Sequence, residues 1–334
     1  MVGADGALPL PWLAAPLQQA LAQPGHALLL VGSPGVGALE LQLTLAQAWL
    51  CESPAAGGAP CGRCAGCRLL LAGTHPDLKL LLPEALRVAR GEAAEAADEG
   101  EGGKRKPSRQ IRIQEVRAAI DWIVTTSSRG RAKVLVVHPA EAMNLQAASA
   151  LLKTLEEPPA GARLLLSCSD ADRLLPTVRS RCQRIALPAP PAAQAQAWLT
   201  AQGVADAAVL LTACAGRPLD ALAWHRDGVD AAAWLALPRA LAQGQAAAWS
   251  GWPLPRALDA LHKLCHDLMA RAVGGAPQYF PPAALPAVGE IAPLSAWAET
   301  LARVARHAEH PWQEALLLDA LVSQGRRALA TLAP

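Results

Sequence analysis

A glycine-rich loop between an apolar run and a helix-forming segment restricts the possible folds of this chain more than any other feature. The run Ala27–Val31 is followed at once by GSPGVG, and LELQLTLAQAWLC then carries Leu and Ala at helical spacing. This order predicts a strand, a glycine loop and a helix. Similar patterns predict further strands at residues 77–82, 134–137 and 164–167, and further helices at residues 111–123 and 145–155. Such alternation indicates an α/β domain with a parallel sheet.

The pattern changes near residue 188, where Ala- and Leu-rich helical segments begin and no further strand is predicted. Breaks at Gly, Pro and Asp divide this region at about residue 230. We therefore expect three domains: an α/β domain over residues 1–188, a small helical domain over residues 189–230 and a larger helical domain over residues 231–334. The predicted fold class is α/β plus all-α.

The segment from about residue 87 to residue 109 interrupts the first domain. It has no apolar periodicity, and an acidic stretch runs into Lys104-Arg105-Lys106. Such a composition buries too little apolar surface to order itself, so we interpret the segment as a disordered surface loop. A basic tract of this kind can also contact nucleic acid.

The charge balance argues against a chain that binds nucleic acid by itself. The chain contains 30 Lys and Arg and 28 Asp and Glu, so its net charge is +2 and its basic electrostatic field is weak. The ten Trp residues lie along Ala- and Leu-rich stretches, which predicts core positions. The apolar runs are too short to span a bilayer and the N-terminus lacks an export signal, so we expect a cytoplasmic protein without a membrane partner.

The glycine loop has the frame of a phosphate-binding loop but not its reactive side chains. Gly32, Gly35 and Gly37 are spaced as in a loop whose backbone N–H groups surround phosphates. A working loop continues with Lys, which neutralises the β- and γ-phosphates, and with Ser or Thr, which holds Mg²⁺. Here these positions are Ala38 and Leu39. We therefore expect no functional ATP site in this chain.

The strand at residues 134–137 carries a second departure from nucleotide hydrolysis. It ends in His138-Pro139, where a hydrolase has an Asp for the metal and often a Glu that activates water. We interpret His138 as a structural residue. The alternative is an ATPase with unusual ligands such as His138 or Arg217.

Four of the eight cysteines indicate a metal site. Cys51, Cys61, Cys64 and Cys67 lie close together in the chain, and the last three form C-x-x-C-x-x-C. Four thiolates can close a tetrahedron around zinc and leave no open position, so the predicted zinc at residues 51–67 is structural. An iron–sulfur cluster is the weaker alternative. The cysteine run of bacterial ferredoxins continues after C-x-x-C-x-x-C to a further Cys followed by Pro, which this chain lacks. His75 is a weaker substitute ligand.

Two further motifs carry a family resemblance. The segment ALLKTLEEPP at residues 150–159 and RSRC at residues 179–182 occur with the glycine loop, the cysteine cluster and GTHPD at residues 73–77. Together they resemble the bacterial clamp-loader AAA+ family over about residues 26–182. The resemblance implies an AAA+ P-loop-type domain with a zinc module, a helical lid and a C-terminal helical collar.

The resemblance also implies which ATPase residues have been replaced. The P-loop Lys of active relatives maps onto Ala38, the metal-binding Asp onto His138 and its neighbouring Glu onto Pro139. A nucleotide-sensing Arg of the lid maps onto Leu219, with Arg217 close by. These replacements imply a subunit that does not hydrolyse ATP.

The family's SRC motif implies a function for Arg181 as an arginine finger that reaches the ATP of the adjacent motor subunit. Arg179 is the competing candidate, and a plain surface Arg is the alternative reading. For residues 150–159 the alternatives are an ordinary helix stopped by two prolines and an intersubunit surface. The implied partners are the gamma/tau motor subunits, a delta subunit, the sliding clamp and primer-template DNA. A zinc-dependent DNA-binding module is a further alternative function.

Overall fold

The computed structural model describes residues 1–91, 107–307 and 312–330. The chain divides into two compact units, Met1–Gln194 and Ala195–Pro334. The first unit ends a few residues beyond the predicted boundary at residue 188. The separation of the helical region into a lid and a collar stays a prediction.

The first unit is built on a five-stranded sheet. Its strands are β1 (Ala27–Val31), β2 (Leu78–Leu81), β3 (Lys133–Val137), β4 (Ala162–Cys168) and β5 (Gln183–Ala186). Their order across the sheet is β2-β3-β4-β1-β5, and every neighbouring pair is parallel. The predicted parallel sheet is confirmed. The three central strands are almost wholly buried, as their continuous apolar runs predict.

Strand β5 was not predicted from the sequence. It lies at the edge of the sheet beside β1, and only Ile185 of its four residues is buried. An edge strand with one buried residue has no apolar run and no clear alternation, so its sequence resembles a loop.

Helices surround the sheet. In the first unit they are α1 (Ala14–Leu21), α2 (Ala38–Leu50), α3 (Ala65–Leu71), α4 (Glu84–Ala89), α5 (Ile113–Ile123), α6 (Leu145–Glu156) and α7 (Pro176–Arg179). Helix α6 begins where the Asn144 side chain accepts a 2.9 Å hydrogen bond from the Ala147 N–H. Helices α5 and α6 bury apolar residues against β3 and β4 in one continuous cluster.

The predicted disordered segment is only partly covered by the described residues, because residues 92–106 lie outside them. Its start corrects the prediction: α4 continues to Ala89 and is ordered. At its other end, the Ser108 N–H donates to the Glu84 carboxylate at 2.9 Å, and the Ala85 N–H donates to the Ser108 carbonyl at 2.9 Å. The two flanks of the segment are therefore joined at the beginning of α4.

The second unit contains helices and no strand within its described residues. They are α8, which begins at the end of the first unit (Ala192–Ala201), α9 (Ala207–Ala213), α10 (Pro218–Arg226), α11 (Ala231–Gln243), α12 (Leu254–Ala272), α13 (Ile291–Arg306) and α14 (Glu314–Ala330). The predicted helical breaks are confirmed at the α9–α10 and α10–α11 junctions. One hydrophobic cluster runs through all these helices.

Tryptophans form the centre of this cluster. Trp234, Trp249 and Trp297 are fully buried, as predicted, and the ring of Trp234 stacks on Phe280 with centroids 4.4 Å apart. The Trp297 indole N–H donates to the Leu321 carbonyl at 3.0 Å. Because these large rings bury much apolar area, they dominate the stability of the unit.

Gly325 of α14 lies where side chains from α13 and α11 approach the helix closely. A Cβ at this position would lie 2.6 Å from Trp297 Cζ2 and 2.8 Å from Leu241 Cδ1. In Gly325→Ala, overpacking should lower the free energy of unfolding by about 1–3 kcal/mol. The higher helix propensity of alanine opposes this loss by about 1 kcal/mol, and we expect the variant to be less stable overall. Urea unfolding followed by tryptophan fluorescence would measure the change. Ser323→Ala on the same helix is the control, and a Gly325→Ala variant as stable as that control would contradict the prediction.

Candidate functional site

The glycine loop connects β1 to α2, and side chains of the N-terminal residues contact its last part. Gly37 adopts a φ of 102° at the start of α2, and a Cβ there would lie 2.4 Å from Leu10 Cδ1. The buried Trp12 indole N–H donates to the Val36 carbonyl at 2.8 Å. Only glycine fits this left-handed position and close approach, so the loop keeps its shape through packing within the chain.

The two positions after the loop contribute packing. Leu39, where an active loop has Ser or Thr, is 5% exposed and belongs to the core. Ala38 is the first residue of α2 and offers only a methyl group. The helix N-terminus and its N–H groups are thus retained, whereas residues 38 and 39 supply neither the cation nor the hydroxyl that a working loop has at these positions.

A buried polar network lies at the ends of β3 and β4, next to the loop. His138 Nδ1 lies 2.6 Å from Ser167 Oγ, and the Ser167 hydroxyl donates to the side-chain carbonyl of Gln42 at 3.1 Å. The Gln42 amide donates to the carbonyls of Leu165 at 2.9 Å and Val137 at 3.3 Å. This network ties α2 to both strands.

The burial of His138 determines its protonation state. Burial lowers the pKa of His138 to about 4, so the imidazole is neutral at pH 7. Mg²⁺ prefers oxygen ligands and carboxylates, and a neutral ring with Nδ1 already engaged supplies neither. His138 is therefore placed as a structural residue.

The cysteine cluster assembles as the spacing predicts. The Sγ atoms of Cys51, Cys61, Cys64 and Cys67 all lie within 4.8 Å of one another, with 3.5 Å between Cys51 and Cys61 and 3.8 Å between Cys51 and Cys64. Sulfurs bound at about 2.3 Å in a tetrahedron lie about 3.8 Å apart. The cluster therefore has the dimensions that a zinc ion requires.

Backbone N–H groups and burial shift the pKa values of these thiols in opposite directions. N–H groups, first that of Arg63, lower the pKa of the Cys61 thiol to about 6, and burial raises the pKa values of Cys51 and Cys67. Helix α3 begins in the cluster, where Cys67 N–H donates to Cys64 Sγ at 3.4 Å. A divalent ion would offset the burial of several thiolates, and four protein ligands would leave it a structural function.

His75 lies outside the group of close sulfurs. The His75 ring is 5% exposed, and its Nδ1 accepts a 3.1 Å hydrogen bond from the Asp77 N–H. The Asp77 carboxylate accepts from the N–H groups of Ser128 at 2.8 Å and Arg129 at 3.1 Å. Arg129 in turn forms an ion pair with Glu52 beside the first cysteine. These GTHPD residues brace the cysteine module against the loop after α5.

Arg181 lies between α7 and β5 and contacts the other family motif. Its guanidinium forms an ion pair with Glu156, the last residue of α6, and its Nη1 donates to the Thr177 carbonyl at 2.8 Å. The side chain of Arg181 is 31% exposed. The two motifs, RSRC and LLKTLEEPP, thus meet at one surface.

Arg179 is engaged differently. Its Nη1 donates to the Ala171 carbonyl at 3.3 Å and pairs with the exposed Asp172. It therefore buttresses the short turn after β4. In the second unit, Arg217 pairs with Asp220 at 3.1 Å and donates to the Cys214 carbonyl at 2.9 Å, beside the partly exposed Leu219.

Trp12, Gln42 and Ser167 of this site were not found from the sequence, and Glu156 was recognised only as part of the motif at residues 150–159. Gln42 was detectable in principle, because it is a polar residue at an apolar position of a helix. The partners of Trp12 and Glu156 follow only from the folded chain.

Within the part of the chain that the structure describes, no helix is both long and apolar enough to cross a membrane.

The fold has a counterpart among solved structures. It aligns with a DNA polymerase III gamma subunit-related protein from Thermotoga maritima at a TM-score of 0.50 and 16% identity, over 93% of this chain and 98% of that one. The parallel sheet, the glycine loop between β1 and α2 and the helical second unit give the chain a fold similar to that of clamp-loader AAA+ structures.

Sequence comparison is more specific. A family model described as DNA polymerase III, delta subunit, matches residues 13–191. The DNA polymerase III subunit delta' of Pseudomonas aeruginosa is 38% identical over 73% of this chain and 74% of its own length. That of Escherichia coli is 34% identical over 76% of each. The chain belongs to the family of DNA polymerase III delta' subunits, which are clamp-loader subunits of DNA replication.

Proposed function

We propose that this chain is a non-hydrolysing subunit, a stator, of the DNA polymerase III clamp loader. In this function it supports ATP-driven loading of the sliding clamp on primed DNA in the cytoplasm. Its partners are gamma/tau motor subunits and a delta subunit, and it reaches the clamp and the DNA through the assembly. It supplies Arg181 to the ATP site of the neighbouring motor subunit.

The observation that carries the proposal is a glycine loop that packs against its own chain and continues with Ala38 and Leu39. Trp12, Leu10 and the Gln42 network hold the loop and the strand ends, and Ala38 and Leu39 replace the groups that bind Mg·ATP. A unit whose shape rests on its own side chains does not depend on nucleotide for its conformation. Such a unit fits a fixed member of an assembly whose other members move with ATP.

Arg181 supports the second part of the proposal. Its side chain is partly exposed and belongs to the short connection after α7. A guanidinium delivered from one subunit to the phosphates of another stabilises the charge of the transferred phosphoryl group. Arg179 is instead directed to Asp172 and Ala171.

The zinc module completes the proposal as a structural element. It is joined to the loop after α5 through the Glu52–Arg129 pair and to the N-terminal residues through a close contact at Gly62. A Cβ on Gly62 would lie 1.8 Å from the Gly3 carbonyl oxygen, at a φ of 70°. The module therefore stabilises one side of the first unit and takes no direct part in phosphate chemistry.

Nucleotide titration of the isolated chain tests the loss of the ATP site. We expect calorimetry to show no saturable Mg·ATP binding in the micromolar range, because Ala38 and Leu39 supply neither the cation nor the hydroxyl of a working loop. A motor subunit titrated under the same conditions is the positive control. Clear micromolar binding or basal turnover by the pure chain would instead support an ATPase with unusual ligands.

A further inference from the structure

The guanidinium that the proposed function assigns to a neighbour's ATP is already occupied within its own chain. Arg181 Nη2 pairs with Glu156 Oε1, and Nη1 donates to the Thr177 carbonyl at 2.8 Å. The remaining nitrogen, Nε, is buried and has no partner among the described residues. Arg181 cannot present both terminal nitrogens to a phosphate while these contacts persist.

Glu156 occupies a position that helix electrostatics alone disfavours. It is the last residue of α6, where the helix dipole places partial negative charge, and Glu157 follows it. A carboxylate at a helix C-terminus is destabilised unless a cation lies beside it. Lys153 lies in the same last turn, and Arg181 is the cation that forms an ion pair with the Glu156 carboxylate.

The ion pair between Arg181 and Glu156 is partly exposed, so another anion can replace Glu156. The side chains are 31% exposed for Arg181 and 48% for Glu156, and ion pairs in such surroundings contribute little net stability. A nucleoside triphosphate carries more negative charge than one carboxylate and offers several acceptor oxygens. It would therefore take the guanidinium from Glu156 when an adjacent subunit brings it within reach.

We propose that Glu156 is a positioning residue for Arg181, which holds the finger in a resting place beside α6 until the neighbour's nucleotide replaces it. This inference rests on the proposed finger function. The exchange moves no covalent bond: one charge-assisted hydrogen bond, to Glu156, is replaced by another, to a phosphate oxygen. Glu156 thus determines how readily Arg181 is released.

Glu156→Gln is the informative variant, because it removes the charge and keeps the size of the side chain. We expect kcat/KM for ATP in the reconstituted loader to rise about two- to fivefold, the range that an exposed ion pair supports. The rise should come from a lower KM, with kcat unchanged. The Arg181–Glu156 ion pair breaks when ATP binds and stays broken in the transition state, so its loss affects binding alone. A merely structural Glu156 would not produce this split.

Matched variants separate this inference from the function on which it rests. Glu157→Gln makes the same charge change one residue away, so an effect that both variants share reflects surface charge and overturns the inference. In an Arg181→Ala background, Glu156→Gln should have no effect, because the finger is gone. Assembly is verified for every variant by size-exclusion chromatography before turnover is compared.

The outcomes are distinct. If Arg181→Ala strongly lowers the stimulated turnover and only Glu156→Gln lowers KM, both proposals are supported. If Arg181→Ala strongly lowers the stimulated turnover but Glu156→Gln matches Glu157→Gln or lowers kcat, the finger stands and the resting function of Glu156 is overturned. If Arg181→Ala leaves turnover unchanged, the finger proposal fails and the inference fails with it.

Discussion

Replacing Arg181 with alanine is expected to lower the DNA- and clamp-stimulated ATPase of the reconstituted loader by about tenfold or more. A trans-acting arginine in other NTPases contributes about 10³- to 10⁵-fold, and a loader whose ATP sites turn over in one coupled cycle is limited by the site that has lost its arginine. The effect should appear in turnover, since assembly does not require the guanidinium in this proposal.

Arg179→Ala is the matched control for this experiment. It removes the same group two positions earlier, where the side chain pairs with Asp172, and should leave turnover close to that of the unchanged protein. Arg181→Lys keeps the charge but loses the planar fork, so only partial activity is expected. Unchanged turnover in Arg181→Ala, or a loss confined to Arg179→Ala, would move the finger elsewhere and leave this chain as a scaffold.

Replacing Cys64 with serine is expected to abolish zinc binding and to unfold the module at residues 51–67. Sulfurs spaced for a tetrahedral ion, with α3 beginning inside the cluster, indicate that metal binding and local folding are one event. Structural zinc in small domains contributes about 10–16 kcal/mol of apparent binding free energy, so its loss should not be compensated locally. Metal analysis should fall from one zinc per chain to none.

Limited proteolysis and thermal unfolding would show where the damage lies. In Cys64→Ser, new protease cleavage should be confined to residues 51–67, and the thermal unfolding transition of the second unit should be unchanged. Cys214→Ser is the control, because Cys214 is buried in the helical core and far in sequence from the cluster. It should lower stability and keep one zinc per chain. Full zinc content in the Cys64→Ser protein would contradict the four-cysteine site.

The alternative of a zinc-dependent DNA-binding module is tested with the same protein. That function predicts salt-sensitive DNA affinity of the isolated chain that disappears in Cys64→Ser. The net charge of +2 provides little field for such binding. We expect no measurable affinity in either protein, and a loss of binding specific to the variant would revive the alternative.

Elements with a strong local signal were correctly predicted. The limits of β1 agree with the apolar run, and α6 extends the predicted helix by one residue, because their side chains are buried continuously or at helical spacing. Strand β5 was missed because an exposed edge strand lacks that signal. The start of α4 was also missed, because its stability depends on the contacts of Glu84 and Ala85 with Ser108, which lies beyond the acidic segment.

The sequence by itself determined the glycine loop, the cysteine cluster and the replacement of the Mg·ATP ligands, because each depends on residue types at short, fixed spacing. Only the tertiary structure decided how distant residues combine. Gln42 and Ser167 are 125 positions apart and meet because α2 crosses the neighbouring strands β3 and β4. Glu156 and Arg181 are 25 positions apart and meet where α6 ends beside α7. Such pairs arise from strand order and helix packing, which no local spacing of residues encodes.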